Sequence, residues 1–157
     1  MLYIKYVGET KQGKPIGALV SDGAVDRFLC ISELQKSTVK FQNAIIDKRG
    51  IIRAKKGRLP RHTCLVLYHG SVNQVVVPQY GLGDSKHDYG KGFYLTTDSV
   101  LASEWAVCNG NKTGRVHKYV LDLTGLHLFD FNTVSPLCWL AELMKHRDAD
   151  TSLRYRR

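Results

Sequence analysis

Thr63-Cys64-Leu65-Val66-Leu67-Tyr68-His69-Gly70-Ser71 decides how this 157-residue chain is read. The run from Thr63 to Tyr68 is nearly continuous in apolar residues, the pattern of a strand buried on both faces, and His69-Gly70-Ser71 marks its polar end. A loop carrying Pro78, Gly81 and Gly83 follows, and Gly92-Phe93-Tyr94-Leu95-Thr96 then reads as a short strand. Asp98 suits the N-cap of a helix in which Leu101, Trp105 and Cys108 recur at i, i+4 and i+7, so that face is expected to pack on the sheet. Asn109-Gly110-Asn111 ends the helix. Val116 to Leu123 predicts another strand, Leu126 to Phe131 a further one after Gly125, and Pro136 to Met144 a last helix.

Upstream, Leu2 to Val7 and Pro15 to Val20 are β-branched and aromatic runs around a polar Gly8 to Lys14 turn, which predicts a hairpin. Ser32-Glu33-Leu34-Gln35 fits a capping box, with the Ser32 hydroxyl and the Gln35 amide serving a short helix after Cys30. Lys40 to Ile46 and Gly50 to Ala54 predict two more strands around Asp47-Lys48-Arg49-Gly50.

With 43% hydrophobic residues the chain is long enough for one sizeable core, or a core and a small lobe. No window has the length of a membrane span, and Met1 to Lys5 lacks the apolar run of a secretory signal, so a soluble, cytoplasmic protein without a membrane partner is expected. Cys30, Cys64, Cys108 and Cys138 form no C-x-x-C pair, which argues for free thiols, and the histidines do not fall at metal-ligand spacings; no metal is assigned. The formal charge of +9 includes seven cations concentrated between Lys48 and Arg61. They are either a solvated face or a phosphate-contacting surface, and the absence of aromatics among them weakens single-strand binding.

A dinucleotide site built without a G-x-G-x-x-G turn needs a stacking surface, an edge that pairs with an amide, and polar groups for ribose hydroxyls. His69 at a strand's end offers the ribose partner. Gly70 lets backbone approach a ligand closely, and Tyr94 and Trp105 offer the stacking faces. Singly, each has a plainer reading as turn histidine or core aromatic; the combination carries the argument.

That combination, Leu67 to Ser71 with Tyr89-Gly90-Lys91-Gly92-Phe93-Tyr94-Leu95-Thr96-Thr97-Asp98 and Ala102 to Ala106, resembles the signature of H-Y-E-type ADP-ribosyltransferases. It is similar to poly-ADP-ribose polymerase catalytic domains, and more so to bacterial and phage domains with Tyr-His-Gly-Ser and Gly-Lys-Gly-Phe-Tyr-Leu-Thr-Thr, some of them in toxin–antitoxin pairs. The likeness covers about residues 65 to 147 and ends with the Trp139 helix at His146-Arg147. It implies an α+β fold: an ADP-ribosyltransferase-like split β-sheet core with flanking helices over residues 62–157, preceded by a small, basic, β-rich lobe over residues 1–61. It also implies an NAD-dependent mono-ADP-ribosyltransferase of toxin or phage–host conflict type, acting on a protein or nucleic acid, with an antitoxin as a further partner. NAD is the substrate. By position, His69 would bind its ribose hydroxyls, Gly70 would hold the nicotinamide amide through backbone, and Tyr94 and Trp105 would supply stacking faces. Ser71 and Lys91 would border the pocket.

The family's third residue, usually a glutamate on a late strand, has no convincing equivalent here. Glu142 reads as a solvated helix residue and Glu104 as a neighbour of Trp105, while Ala102 stands where polymerase relatives carry a hydroxyl. Three explanations follow: a chain incomplete at its C-terminus, which is favoured; replacement of the carboxylate by another group; or a catalytically inactive module that binds NAD, ADP-ribose, a partner protein or nucleic acid. A basic nucleic-acid-binding domain that ignores NAD is the further rival.

Overall fold

Tyr3–Glu9 (β1) and Pro15–Ser21 (β2) pair as an antiparallel hairpin, as their β-branched and aromatic runs predict. Its turn closes through Thr10 N–H to the Lys14 carbonyl, 2.9 Å. Asp26–Cys30 (β3) adds to the outer edge of β2. The sequence reading passed over β3, because Asp-Arg-Phe-Leu-Cys has no clean alternation and pairs only where the hairpin offers an edge.

In this computed structural model, which describes residues 1–85, 87–108, 110 and 113–146, helix α1 (Ile31–Lys36) leaves β3 directly. With Ile31 as its first residue, Cys30 is the N-cap and Glu33 the third helical residue, whose carboxylate reaches back to accept the Cys30 N–H at 2.7 Å. The expected Ser32–Gln35 box is therefore corrected: the Gln35 amide donates instead to the Lys48 carbonyl, 2.8 Å.

Ala44–Ile46 (β4) and Ile52–Ala54 (β5) form a two-stranded antiparallel sheet around the expected turn, where Asp47 Oδ1 accepts the N–H groups of Arg49 and Ile51 at 2.8 and 2.9 Å. The first strand is shorter than Lys40 to Ile46, because Phe41 turns away to bridge Leu2 and the Gln42 N–H donates to the Leu2 carbonyl at 2.8 Å.

Arg61–Ser71 (β6) runs parallel to β1 and lies inside a five-stranded sheet of order β3-β2-β1-β6-β7, the last strand being Arg115–Asp122. A parallel neighbour requires a crossover, and residues 10–60 supply it. The fold is mixed, a mostly β core sheet with few helices. No helix among the described residues is long and apolar enough to cross a membrane.

The chain divides into two compact units, Met1–Leu67 with Lys118–Leu126, and Tyr68–His117 with the described residues from His127 onward. In the first, Ile4, Val7, Ala18, Val20 and Leu34 are almost wholly buried, with Phe41, Ala44, Ile52 and Leu59 around them. At the β1 irregularity beside Lys5, the Asn43 amide takes the place of a neighbouring strand: it accepts from Ile4 N–H at 2.9 Å and donates to the Ile4 carbonyl at 2.7 Å.

On the same sheet the Tyr6 ring stacks on His62, centroids 4.0 Å apart, and His62 Nδ1 lies 2.7 Å from Asp122 Oδ2. Burial, then the Asp122 charge, pushes the Tyr6 phenol up to about 12. A raised folded value means the neutral phenol is the stabilised form; that contribution is complete below pH 10 and is lost as pH rises toward 12. Alkaline titration followed by phenolate absorbance should show a late step, and Tyr6→Phe should delete it. A curve unchanged by the substitution would contradict this.

In the second unit Ser99–Val107 forms α2, capped by Asp98 Oδ1, which accepts Val100 N–H at 2.7 Å and Leu101 N–H at 3.4 Å. Asp98→Ala should cost about 1 kcal/mol and lower the melting midpoint by roughly 3 °C, while Asp98→Asn keeps most of the cap; equal melting of the Ala variant and the wild type would refute the cap. The buried face of α2 is Ala102 and Ala106, which corrects the expected Leu101–Trp105–Cys108 face. Gly70 and Gly114 explain it: a Cβ on Gly70 would strike the Ala102 carbonyl oxygen and sit 2.6 Å from Ala106 N, and one on Gly114 would sit 2.7 Å from the Ala106 carbonyl oxygen. Small residues on both sides bring backbone against backbone, so the larger side chains are turned elsewhere. Asn109 and Asn111 of the helix stop, Arg147 and the C-terminal arginines lie outside the described residues.

Two expected strands are absent. Of Gly92 to Thr96 only Thr96 pairs, exchanging both backbone hydrogen bonds with Tyr68 at 2.7 and 2.9 Å. The Tyr94 carbonyl is taken by His69 Nδ1 at 2.9 Å, which leaves no ladder to continue. Leu126 to Phe131 finds no neighbouring strand among the described residues; Leu128 and Phe129 are exposed, and Asp130 caps a single 3-10 turn at Phe131–Thr133. Pro136–His146 forms α3, as the pattern predicts.

Candidate functional site

A cavity of about 770 Å³ opens in the second unit. His69 and Gly70 reach it from the end of β6, Trp105 from α2 and Cys108 from its C-cap, Val76, Val77 and Leu82 from the loop after β6, and His87, Asp88, Tyr89, Gly92, Phe93 and Tyr94 from the glycine-rich segment. Such a volume, largely apolar with a few converging polar groups, suits a small molecule or cofactor. The first unit has a cavity of about 530 Å³ bordered by Lys40, Lys48 and Lys55 among aliphatic side chains. It offers charge and one aromatic ring, Phe41, but no imidazole.

Four of the residues singled out in the sequence, His69, Gly70, Tyr94 and Trp105, line the same cavity. Ser71 does not: its hydroxyl accepts the Asn73 N–H at 3.1 Å and shapes the turn that leaves β6. Lys91 is exposed and outside the lining.

His69 is fixed by its neighbours. A carbonyl only accepts, so the 2.9 Å contact with Tyr94 O places the proton on Nδ1. In the neutral ring, Nε2 then keeps the lone pair, which suits a ligand hydroxyl as donor. The Phe93 ring lies 4.7 Å from the imidazole. Tyr94 is held at its far end, where its hydroxyl accepts the Tyr89 N–H at 3.0 Å and donates to the Gly90 carbonyl at 2.9 Å. Gly90 has φ +76°, and a Cβ there would sit 2.8 Å from the His146 ring, so a glycine is needed on both counts. Tyr89 is anchored in turn: Trp139 Nε1–H donates to its hydroxyl at 2.6 Å, and Phe131 lies 5.6 Å from its ring.

The sequence reading missed His87 and Asp88. Both line the cavity, and the His87 ring lies 5.0 Å from that of Tyr94. The available signal was position alone, immediately before Tyr89-Gly90-Lys91-Gly92. The glutamates weighed for the third position lie elsewhere. Glu104 is exposed outside the lining, and Glu142 is paired with Lys145 and His146. The hydrogen bond from Lys145 holds Glu142 below the usual carboxylate range.

The basic segment is partly consumed in local structure. Arg61 pairs with Glu9, Arg53 lies 3.9 Å from Asp47, and Lys55 donates to the Phe41 carbonyl at 2.6 Å. Lys48, Arg49, Lys56 and Arg58 are exposed.

No curated protein and no solved structure matches the chain. One family model does match, over residues 65–155, a span that begins at the cavity-forming strand β6 and takes in the whole glycine-rich segment. Since that span is more than half of the chain, the protein belongs to the family described as protein of unknown function DUF3990.

Proposed function

We propose that this chain is an NAD-dependent mono-ADP-ribosyltransferase of toxin or phage–host conflict type, transferring ADP-ribose to a protein or nucleic acid with release of nicotinamide. One observation carries the reading: His69 and Gly70, Tyr94, and Trp105, from three separate stretches of the sequence, border one cavity. Their roles are those the motif resemblance implies. His69 Nε2 accepts from a ribose hydroxyl, Tyr94 stacks on the nicotinamide ring, and Trp105 provides a second aromatic surface. The split β-sheet of such transferases belongs to the same proposal. Departure of nicotinamide builds positive charge on the ribose, as in glycoside hydrolysis, and a fixed, partly water-shielded pose lowers the barrier.

A second reading, a catalytically inactive module that binds NAD or ADP-ribose, is favoured by the positions of Glu104 and Glu142 outside the cavity. Transfer of labelled ADP-ribose from NAD to protein, RNA and DNA fractions of a cell lysate separates the two. Label in one fraction, absent with Tyr94→Ala, supports the transferase and names its acceptor class. NAD binding without label or free nicotinamide supports the module.

A further inference from the structure

Among the described residues the cavity lining contains one carboxylate, Asp88. We propose that Asp88 is the catalytic carboxylate of this site, stabilising the cationic ribose and accepting the acceptor's proton. The inference rests on the transferase reading above.

The chemistry states what is required. The bond between ribose C1′ and the pyridinium nitrogen breaks with its electron pair going to nitrogen, so nicotinamide leaves neutral and the positive charge passes to the ribose C1′–O4′ unit. A lone pair of an acceptor O–H or N–H closes the bond to C1′, and the proton it sheds goes to the carboxylate and then to water. A fixed anion beside the ribose lowers the energy of the cationic state, and the surrounding apolar lining strengthens its field.

Asp88 has the setting for this. It is half-buried, and Val76, Val77 and Phe93 share its cavity. It also sits on a tied segment. Gly90 N–H donates to the His87 carbonyl at 2.9 Å, and the Tyr94 hydroxyl clamps Tyr89 and Gly90, the residues that follow Asp88. The turn that carries the carboxylate and the ring proposed to hold nicotinamide are thus fixed to each other, which preorganisation requires. Glu142 is committed to Lys145 and His146, and Glu104 lies outside the lining.

The test measures nicotinamide release from NAD, in buffer and with cell lysate as acceptor source, together with NAD affinity and thermal melting. Asp88→Asn removes the charge at constant shape and is expected to lower kcat about 100-fold or more while NAD affinity stays within about threefold and the variant stays folded by its melting. Asp88→Glu is expected to recover part of the rate. Turnover by Asp88→Asn within about fivefold of wild type overturns the assignment and leaves the transferase reading standing. A fall in rate matched by an equal loss of NAD affinity also overturns it, since Asp88 would then be a binding group. A wild-type chain that binds no NAD and releases no nicotinamide overturns both.

Discussion

Gly70→Ala is expected to lower stability by about 3 kcal/mol, the upper part of the range for overpacking, and the melting midpoint by roughly 10 °C for a chain of this size. The added methyl would meet the Ala102 carbonyl oxygen and Ala106 N, both backbone atoms of α2, so no side-chain rotation relieves the clash. Gly70 is outside the left-handed region; its requirement is one of space alone. Gly13→Ala makes the contrast: there φ is +76° and nothing lies within 4 Å, so the cost is backbone strain, about 1 kcal/mol. Denaturant and thermal unfolding of the two variants would show the difference. A Gly70→Ala chain as stable as wild type would mean that the strand and helix are not in backbone contact. The same movement of α2 displaces Trp105, so under the proposed function any folded variant should also bind NAD more weakly.

Under the proposed function, Tyr94→Ala is expected to reduce nicotinamide release by about 100-fold or more, because it removes the proposed stacking face and unties the glycine segment together. Tyr94→Phe separates these contributions. It keeps the ring but loses the hydroxyl that joins Tyr89 N–H to the Gly90 carbonyl. One such network bond is worth about 1 kcal/mol, so a loss of roughly fivefold is expected. Steady-state kinetics of both variants would decide. If Tyr94→Phe were as damaging as Tyr94→Ala, the hydroxyl and not the ring would dominate, and stacking on nicotinamide would lose its support.

Much of the local structure was legible because its causes are local. Asp98 announces α2 through its own carboxylate, Asp47 announces the β4–β5 turn, and the hairpin of β1 and β2 follows from two apolar runs around a polar turn. Where the reading failed, the deciding group lay far along the chain. Gly92 to Leu95 has strand composition, yet His69 occupies the Tyr94 carbonyl. Leu101 and Cys108 have the spacing of a buried face, yet Gly70 and Gly114 select Ala102 and Ala106 instead. In the candidate site, His69, Gly70, Tyr94 and Trp105 were named from their motif, whereas His87 and Asp88 were not, since nothing in their residue types or spacing marks them.

By itself the sequence determined the turn chemistry, the start of α2 and the mixed α and β character, because capping groups, glycine conformations and apolar periodicity act over a few residues. Only the tertiary structure decided which strands find partners, which face of α2 is buried and which carboxylate borders the cavity. Those outcomes depend on backbone approach and hydrogen-bond competition between segments remote in sequence, and close packing leaves room for one arrangement of them.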